Sequence, residues 1–166
     1  MSDPNLFTHH KITPPEDIKN RIEAYRKKGK TIVTINGSFD LLHAGHLHII
    51  FGAKAQGDIL CVALNSDKSI KQYKSQDRPI IDLKNRLEMV AALQAVDLVT
   101  WFDEVEPQTI LKKIHPDVHV NGAEYGTDCV EAQVVKEMGA KLYLVPRIAA
   151  LSTSAIIAKI QSVCVK

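Results

Sequence analysis

The chain of 166 residues has no long apolar run, few cysteines and little net charge. No stretch approaches the ~20 apolar residues that a membrane-spanning helix needs. The N-terminus is polar, without the apolar segment of a signal peptide. A formal charge of +2 is too small to argue for nucleic acid or a membrane as partner, and the seven histidines add nothing to it while neutral. Cys61, Cys129 and Cys164 are odd in number and lack a CxxC spacing, so neither a disulfide framework nor a zinc site is indicated. Cys61 lies in the apolar run 59–64, where a buried, inert thiol is expected. Internal repeats, low-complexity tracts and linkers are also missing. These absences imply a single domain over 1–166, with 1–13 a loose extension, in a reducing, cytoplasmic setting. Hydrophobic and charged contents of 45% and 24% are those of an ordinary globular protein.

What is present is an alternation of short apolar runs and helical patterns. Strands are expected at 31–35, 59–64, 97–101, 118–120 and 142–145. The run at 59–64 is continuously apolar, as suits a parallel sheet covered on both faces. Helices are expected from Pro14-Pro15 to about 28, over 45–56, over 83–94 behind an Asp82 cap, from Pro107 to about 114, over 131–138 and over 152–161. Residues 68–74 read as a short, polar, lysine-bearing stretch and 75–79 as a loop. Strands alternating with helices imply right-handed βαβ units. The fold class expected is α/β, a doubly wound sheet of five parallel strands.

In such a sheet, ligands sit beyond the carboxyl ends of the strands. The chemistry-bearing residues fall there: 36–46 after the first strand, 65–74 after the second, 121–125 after the fourth and 147–154 after the fifth. The first of these segments joins a glycine turn to a helix start, where free N–H groups and the helix dipole favour an anion. His43 and His46 beside it can donate hydrogen bonds to phosphate oxygens. Ser152, Thr153 and Ser154 open the last helix, and serve as an N-cap or offer hydroxyls and N–H groups to phosphate. Lys68, Lys71 and Lys74 can equally solvate a loop, Asp40 can cap a turn, and Arg86 can pair with a helix carboxylate. Lys11, Lys112 and Lys113 read as solvated surface. His9, His10, His115 and His119 lack motif context and read as structural.

The run G-S-F-D-L-L-H-A-G-H at 37–46 resembles the G-x-F-D-x-x-H-x-G-H signature of the cytidylyltransferase-like nucleotidyltransferases. Residues 151–156, L-S-T-S-A-I, resemble their second signature, I-S-T-[ST]-x-[IL]. Asn65-Ser66-Asp67 with Arg78-Pro79-Ile80, Arg86, and the segments 116–118 and 121–125 are similar to the bacterial heptose-1-phosphate adenylyltransferase domain, often fused to a sugar kinase. The resemblance covers about 11–160. Departures are Ser38 for the usual cysteine, His48 for a basic residue, Asn121, Ala123 and Glu124 for lysine, glycine and aspartate, and Ala150 for glycine. Arg147 is more like glycerol-3-phosphate cytidylyltransferases.

The resemblance implies a Rossmann-like nucleotidyltransferase domain that joins ATP and a sugar phosphate, giving ADP-heptose and pyrophosphate in lipopolysaccharide precursor synthesis. It implies His43, His46 and Lys74 as catalytic. It implies nucleotide contacts from Asn36, Gly37, Ser38, Phe39, Gly45, Asn121, Gly122, Ser152, Thr153 and Ser154. Substrate contacts follow from Asp40, Lys71, Arg78, Arg86, Glu124 and Arg147. Mg²⁺ would arrive with the triphosphate, no metal site being built from protein side chains, and a homodimer is the implied assembly. A glycerol-3-phosphate or other polyol-phosphate cytidylyltransferase is the alternative within the class. A non-catalytic nucleotide-binding regulator is the alternative outside it.

Overall fold

The computed structural model describes residues 6–146 and 152–164. Its elements are α1 (Leu6–His9), α2 (Ile18–Arg26), β1 (Ile32–Gly37), α3 (Ala44–Lys54), β2 (Ile59–Asn65), α4 (Asp67–Tyr73), α5 (Leu83–Ala91), β3 (Leu98–Phe102), α6 (Gln108–Ile114), β4 (Val118–Gly122), α7 (Ala132–Glu137), β5 (Lys141–Val145) and α8 (Thr153–Cys164). The described strands form one five-stranded sheet in the order β3-β2-β1-β4-β5, and every pairing is parallel. The fold is Rossmann-like.

Side chains alternate across the sheet, so each strand supplies two cores. On one face Val33, Ile35, Leu60, Val62 and Val120 pack with Ile50 of α3 and Leu87 and Val90 of α5. On the other, Ile32, Ile59, Cys61 and Leu98 pack with Ile18 and Ile22 of α2 and Ile110 and Ile114 of α6. β2 is buried at every position, as its continuous apolar run requires. Burial pushes the Cys61 thiol up to about 12, which keeps it protonated and inert. The Asp82 side chain caps α5 by accepting from the Asn85 amide.

Two stretches differ from expectation. Residues 68–74 are not a solvated loop but mostly the helix α4, started by the Ser66 hydroxyl accepting from the Ser69 amide and anchored by the buried Ile70. One cap and one apolar anchor make a helical turn or two that periodicity over a longer window does not reveal. The segment expected to be loose is held from Lys11 to Thr13. Ile12 bridges Val99 of β3, Thr13 donates to the Val99 carbonyl, and Lys11, expected at the solvated surface, donates from Nζ to the Leu93 carbonyl at 3.0 Å.

Candidate active site

From β1 the chain moves outward through β2 to β3, then crosses back to place β4 on the other side of β1. The strand order therefore reverses between β1 and β4, and a crevice opens beyond their carboxyl ends. A cleft of about 380 Å³ occupies that position. The β1 end and its turn contribute Asn36, Gly37, Ser38, Phe39 and Asp40, and the start of α3 contributes His43, Gly45 and His46. Lys74 comes from the end of α4, Asn121, Gly122 and Glu124 from the end of β4, and Ser152, Thr153 and Ser154 from the start of α8. Tyr125 of the 121–125 segment also lines it, as do Ile35, Ile49, Val145 and Pro146, to which sequence reasoning assigned no role.

The turn after β1 is tight. A Cβ on Gly37 would stand 3.3 Å from the Phe39 ring, and Phe39 itself has a positive φ of 46°. At Gly52 a Cβ would meet Val145 at 2.8 Å, so this glycine lets α3 lie close on β5 and fixes where its N-terminus points.

That N-terminus is built by the two histidines. His43 is the N-cap, and its Nδ1 accepts from the Gly45 amide at 3.1 Å. The His46 Nδ1 accepts from the His43 amide at 3.3 Å, completing a reciprocal capping box. The rings stack with centroids 3.9 Å apart and planes 29° apart, and Phe39 packs against His46 at 5.2 Å. A neutral imidazole whose Nδ1 accepts must carry its proton on Nε2. Both rings are therefore fixed as Nε2–H donors lining the cleft. Burial lowers the His43 pKa. Burial, then the neighbouring His43 and Lys74, lower His46 to about 4 against a partial opposing pull from Asp40. His46 is uncharged at neutral pH.

Lys74 Nζ donates to the Ser38 hydroxyl at 2.8 Å, and the Tyr73 hydroxyl lies 3.1 Å from the same oxygen. Burial, followed by Arg78, lowers the Lys74 pKa. At α8 the Ser152 hydroxyl caps the helix by accepting from the Ala155 amide. Thr153 and Ser154 stand in the cleft beside it. His48 donates from Nε2 to the Pro146 carbonyl at 2.9 Å, tying α3 to the chain beyond β5.

Of the residues expected to touch substrate, Arg86, Arg78 and Lys71 do not line the cleft, and Asp40 lines it with its oxygens already engaged. Arg86 is fully buried. It donates to the carbonyls of Ile81, Ser38 and Asn65 at 2.9, 2.6 and 2.9 Å and to the Asp67 carboxylate at 2.7 Å. It ties three loops together and faces no cleft. Arg78 pairs with Asp40, donating from Nε at 2.7 Å, and does not line the cleft. Asp40 also accepts from the Ile80 and Ile81 amides, so it forms cleft wall with its oxygens already engaged. Burial disfavours its charge, but the two amides and Arg78 outweigh that and hold its pKa below the usual value. Lys71 is exposed on α4 away from the cleft. Arg147 lies outside the described residues. The Asn65–Asp67 segment likewise builds α4 and anchors Arg86.

One functional candidate escaped sequence reasoning. Glu131, at the start of α7, is buried behind the cleft and accepts from the side-chain amides of Asn36 at 3.0 Å and Asn121 at 3.1 Å. Its only signal in the sequence was an acidic residue opening a helix. His119, read as structural, is fully buried with its Nδ1 2.9 Å from the Thr34 hydroxyl. Among the described residues no cluster of three or more His, Cys, Asp or Glu is placed to hold a metal ion, and no helix is long and apolar enough to cross a membrane.

A helix-capping histidine pair at the switch point of a parallel sheet makes a site for a phosphate group. The profile of the cytidylyltransferase-like family matches residues 34–159, and the chain belongs to that family of nucleotidyltransferases. Among its relatives are the bifunctional proteins HldE of Azorhizobium caulinodans, 40% identical over 159 residues, and of Pseudomonas entomophila, 41% identical over 147 residues. These matches cover 92% and 88% of this chain but only 33% and 31% of the relatives, so the chain spans about a third of their length. The lipopolysaccharide core biosynthesis protein of Thermoplasma volcanium superposes with a TM-score of 0.59 at 27% identity, covering 72% of this chain and 98% of that one. A pantoate-beta-alanine ligase of Francisella tularensis, TM-score 0.62 at 17% identity over 93% of this chain and 79% of its own, shares the fold.

Proposed function

We propose that the protein joins D-glycero-beta-D-manno-heptose 1-phosphate to ATP, giving ADP-heptose and pyrophosphate. The observation that carries the phosphate chemistry is the pair of histidines locked as Nε2–H donors at a helix start, opposite a second helix start bearing three hydroxyl residues. The kinship with HldE and the segments shared with heptose-1-phosphate adenylyltransferases support the choice of substrates.

A phosphate oxygen of the sugar attacks the α-phosphorus in line, the bond from that phosphorus to the bridging oxygen breaks, and pyrophosphate leaves with the electron pair. The nucleophile is already ionised, so the work is positioning and charge stabilisation. His43 and His46 donate to the α-phosphate oxygens as charge grows there. Neutral donors suit this task, because they are ready without gaining a proton. Lys74 exchanges its serine partner for a phosphate oxygen, a stronger, charge-assisted acceptor. Ser152, Thr153 and Ser154 hold the leaving pyrophosphate at the α8 N-terminus. Asn36, Gly37, Ser38, Phe39, Gly45, Asn121 and Gly122 bracket the nucleotide, and Glu124 is left for the sugar.

Mg²⁺ would neutralise charge on the phosphate chain. The ion would arrive with the triphosphate, and the cleft-wall carboxylate of Asp40 is already engaged by Arg78 and the Ile80 and Ile81 amides.

Pyrophosphate release measured with each nucleoside triphosphate and a panel of sugar phosphates tests this reading. The expected result is heptose 1-phosphate as acceptor and ATP preferred over CTP by at least about tenfold in kcat/KM, or roughly 1.4 kcal/mol. A CTP preference with glycerol-3-phosphate would overturn the substrates and leave the mechanism. No release with any pair would favour a nucleotide-binding regulator.

A further inference from the structure

We infer that Glu131 is a positioning residue that sets the amides of Asn36 and Asn121, and through them the two strand ends flanking the crevice. The inference rests on the cleft being the nucleotide site. Glu131 does not line the cleft and is only 4% exposed. A carboxylate only accepts hydrogen bonds. Each of its oxygens takes one amide, Asn36 Nδ2 at 3.0 Å and Asn121 Nδ2 at 3.1 Å, so both side chains must turn their NH₂ groups toward it.

The consequences differ at the two strands. At β4 the Asn121 Oδ1 is left facing its own chain, where it accepts from the Gly122 amide at 2.9 Å. Glu131 thereby controls the backbone leading into Glu124 and Tyr125, which stand in the cleft. At β1 the Asn36 Oδ1 is buried and has no hydrogen-bond partner among the described residues. Its orientation is therefore imposed from the NH₂ side, by Glu131, one residue before the turn that leads to the histidines. Thr34 and His119 lie on the same sheet face one pleat further in, paired with each other. Cys129, ahead of α7, lies beside this cluster, and burial is the first cause that raises its thiol pKa.

The test exchanges donors and acceptors without changing shape. In Glu131→Gln one side-chain oxygen becomes an NH₂ that faces the NH₂ of an asparagine. Relief requires an amide flip, which at Asn121 breaks the bond to Gly122. The double variant E131Q/N121D restores an acceptor opposite the new donor and keeps one for Gly122. ATP affinity by calorimetry should fall at least tenfold in E131Q and recover at least threefold in the double variant. The ¹⁵N side-chain resonances of Asn36 and Asn121, read without ligand, should shift in E131Q.

Affinity within twofold of the original together with unmoved amide resonances would overturn the inference. So would a double variant that folds but leaves the Asn36 side-chain resonance where E131Q put it. If E131Q alone does not fold, the comparison of the double variant with the unmodified protein decides by the same criterion. Failure of the unmodified protein to bind ATP would instead count against the nucleotide site, and the ligand-free resonances would still decide the role of Glu131.

Discussion

The turn after β1 has two histidines on one side and two arginines on the other, and the sequence offers all four as anion ligands. The structure separates them. His43 and His46 each use one ring nitrogen on a backbone amide and keep the other as a donor lining the cleft. Arg86 directs four N–H bonds into carbonyls and a carboxylate, and Arg78 is engaged by Asp40. The difference teaches that the donors left over after folding, rather than the charge of a side chain, decide which residue can meet a ligand. Uncharged rings face the cleft, and permanent cations hold its wall in place.

The comparison breaks first at Arg86. Arg86→Met leaves the carbonyls of Ser38, Asn65 and Ile81 without this donor and Asp67 without its ion pair. Removing one side of such a buried network typically costs about 3–5 kcal/mol. Urea unfolding should show a loss of this order. A variant of unchanged stability with only a raised KM for the sugar phosphate would return Arg86 to the substrate site.

His46→Ala should act the other way, sparing the fold and striking the rate. Losing one donor to transition-state charge typically costs about 3–4 kcal/mol, or a hundred- to a thousandfold in kcat. The lost contact to the His43 amide should lower stability by only about 1 kcal/mol. Turnover within threefold of the unmodified enzyme would remove His46 from the mechanism.

The smallest effect expected is a flat line. With its pKa lowered from 6.5 to about 4, His46 is neutral throughout the neutral range. The ratio of kcat/KM between the unmodified protein and His46→Ala should hold between pH 8 and 6 and fall only as pH approaches about 4. Stability follows the same sign: the unfolded ring binds a proton below 6.5 and the folded ring does not until about 4, so acid favours unfolding across that window. A ratio that falls as pH rises through 6.5 would mean that the imidazolium is the active form.

The strands, the histidine turn and the Asp82 cap were legible because each is signalled by adjacent residues: β-branched runs, glycine beside a helix start, a carboxylate three residues ahead of the amide it caps. The fate of Arg86 was not, because its partners come from loops at 38, 65–67 and 81 that only the fold brings together. Glu131 was hidden for the same reason. Its partners are 95 and 10 residues away, on two different strands. The helix α4 was missed because its single buried apolar residue, Ile70, gives no period to read. Local chemistry is written locally, whereas the second layer behind the cleft depends on contacts that no window along the chain contains.

The strand order also has a consequence in time. β1, β2 and β3 are consecutive in the chain and adjacent in the sheet, so their ladder can close early during synthesis. β4 meets β1 only across 85 residues, as the Thr34–His119 pair shows, and contacts that distant form late. A nascent chain halted before β4 is expected to carry the histidine turn with nothing opposite it. Its central strand would meanwhile be an open edge, exposing the unpaired backbone groups that invite pairing with another chain. Until β4 leaves the ribosome, the strand destined for the middle of the sheet is the one most in need of a chaperone.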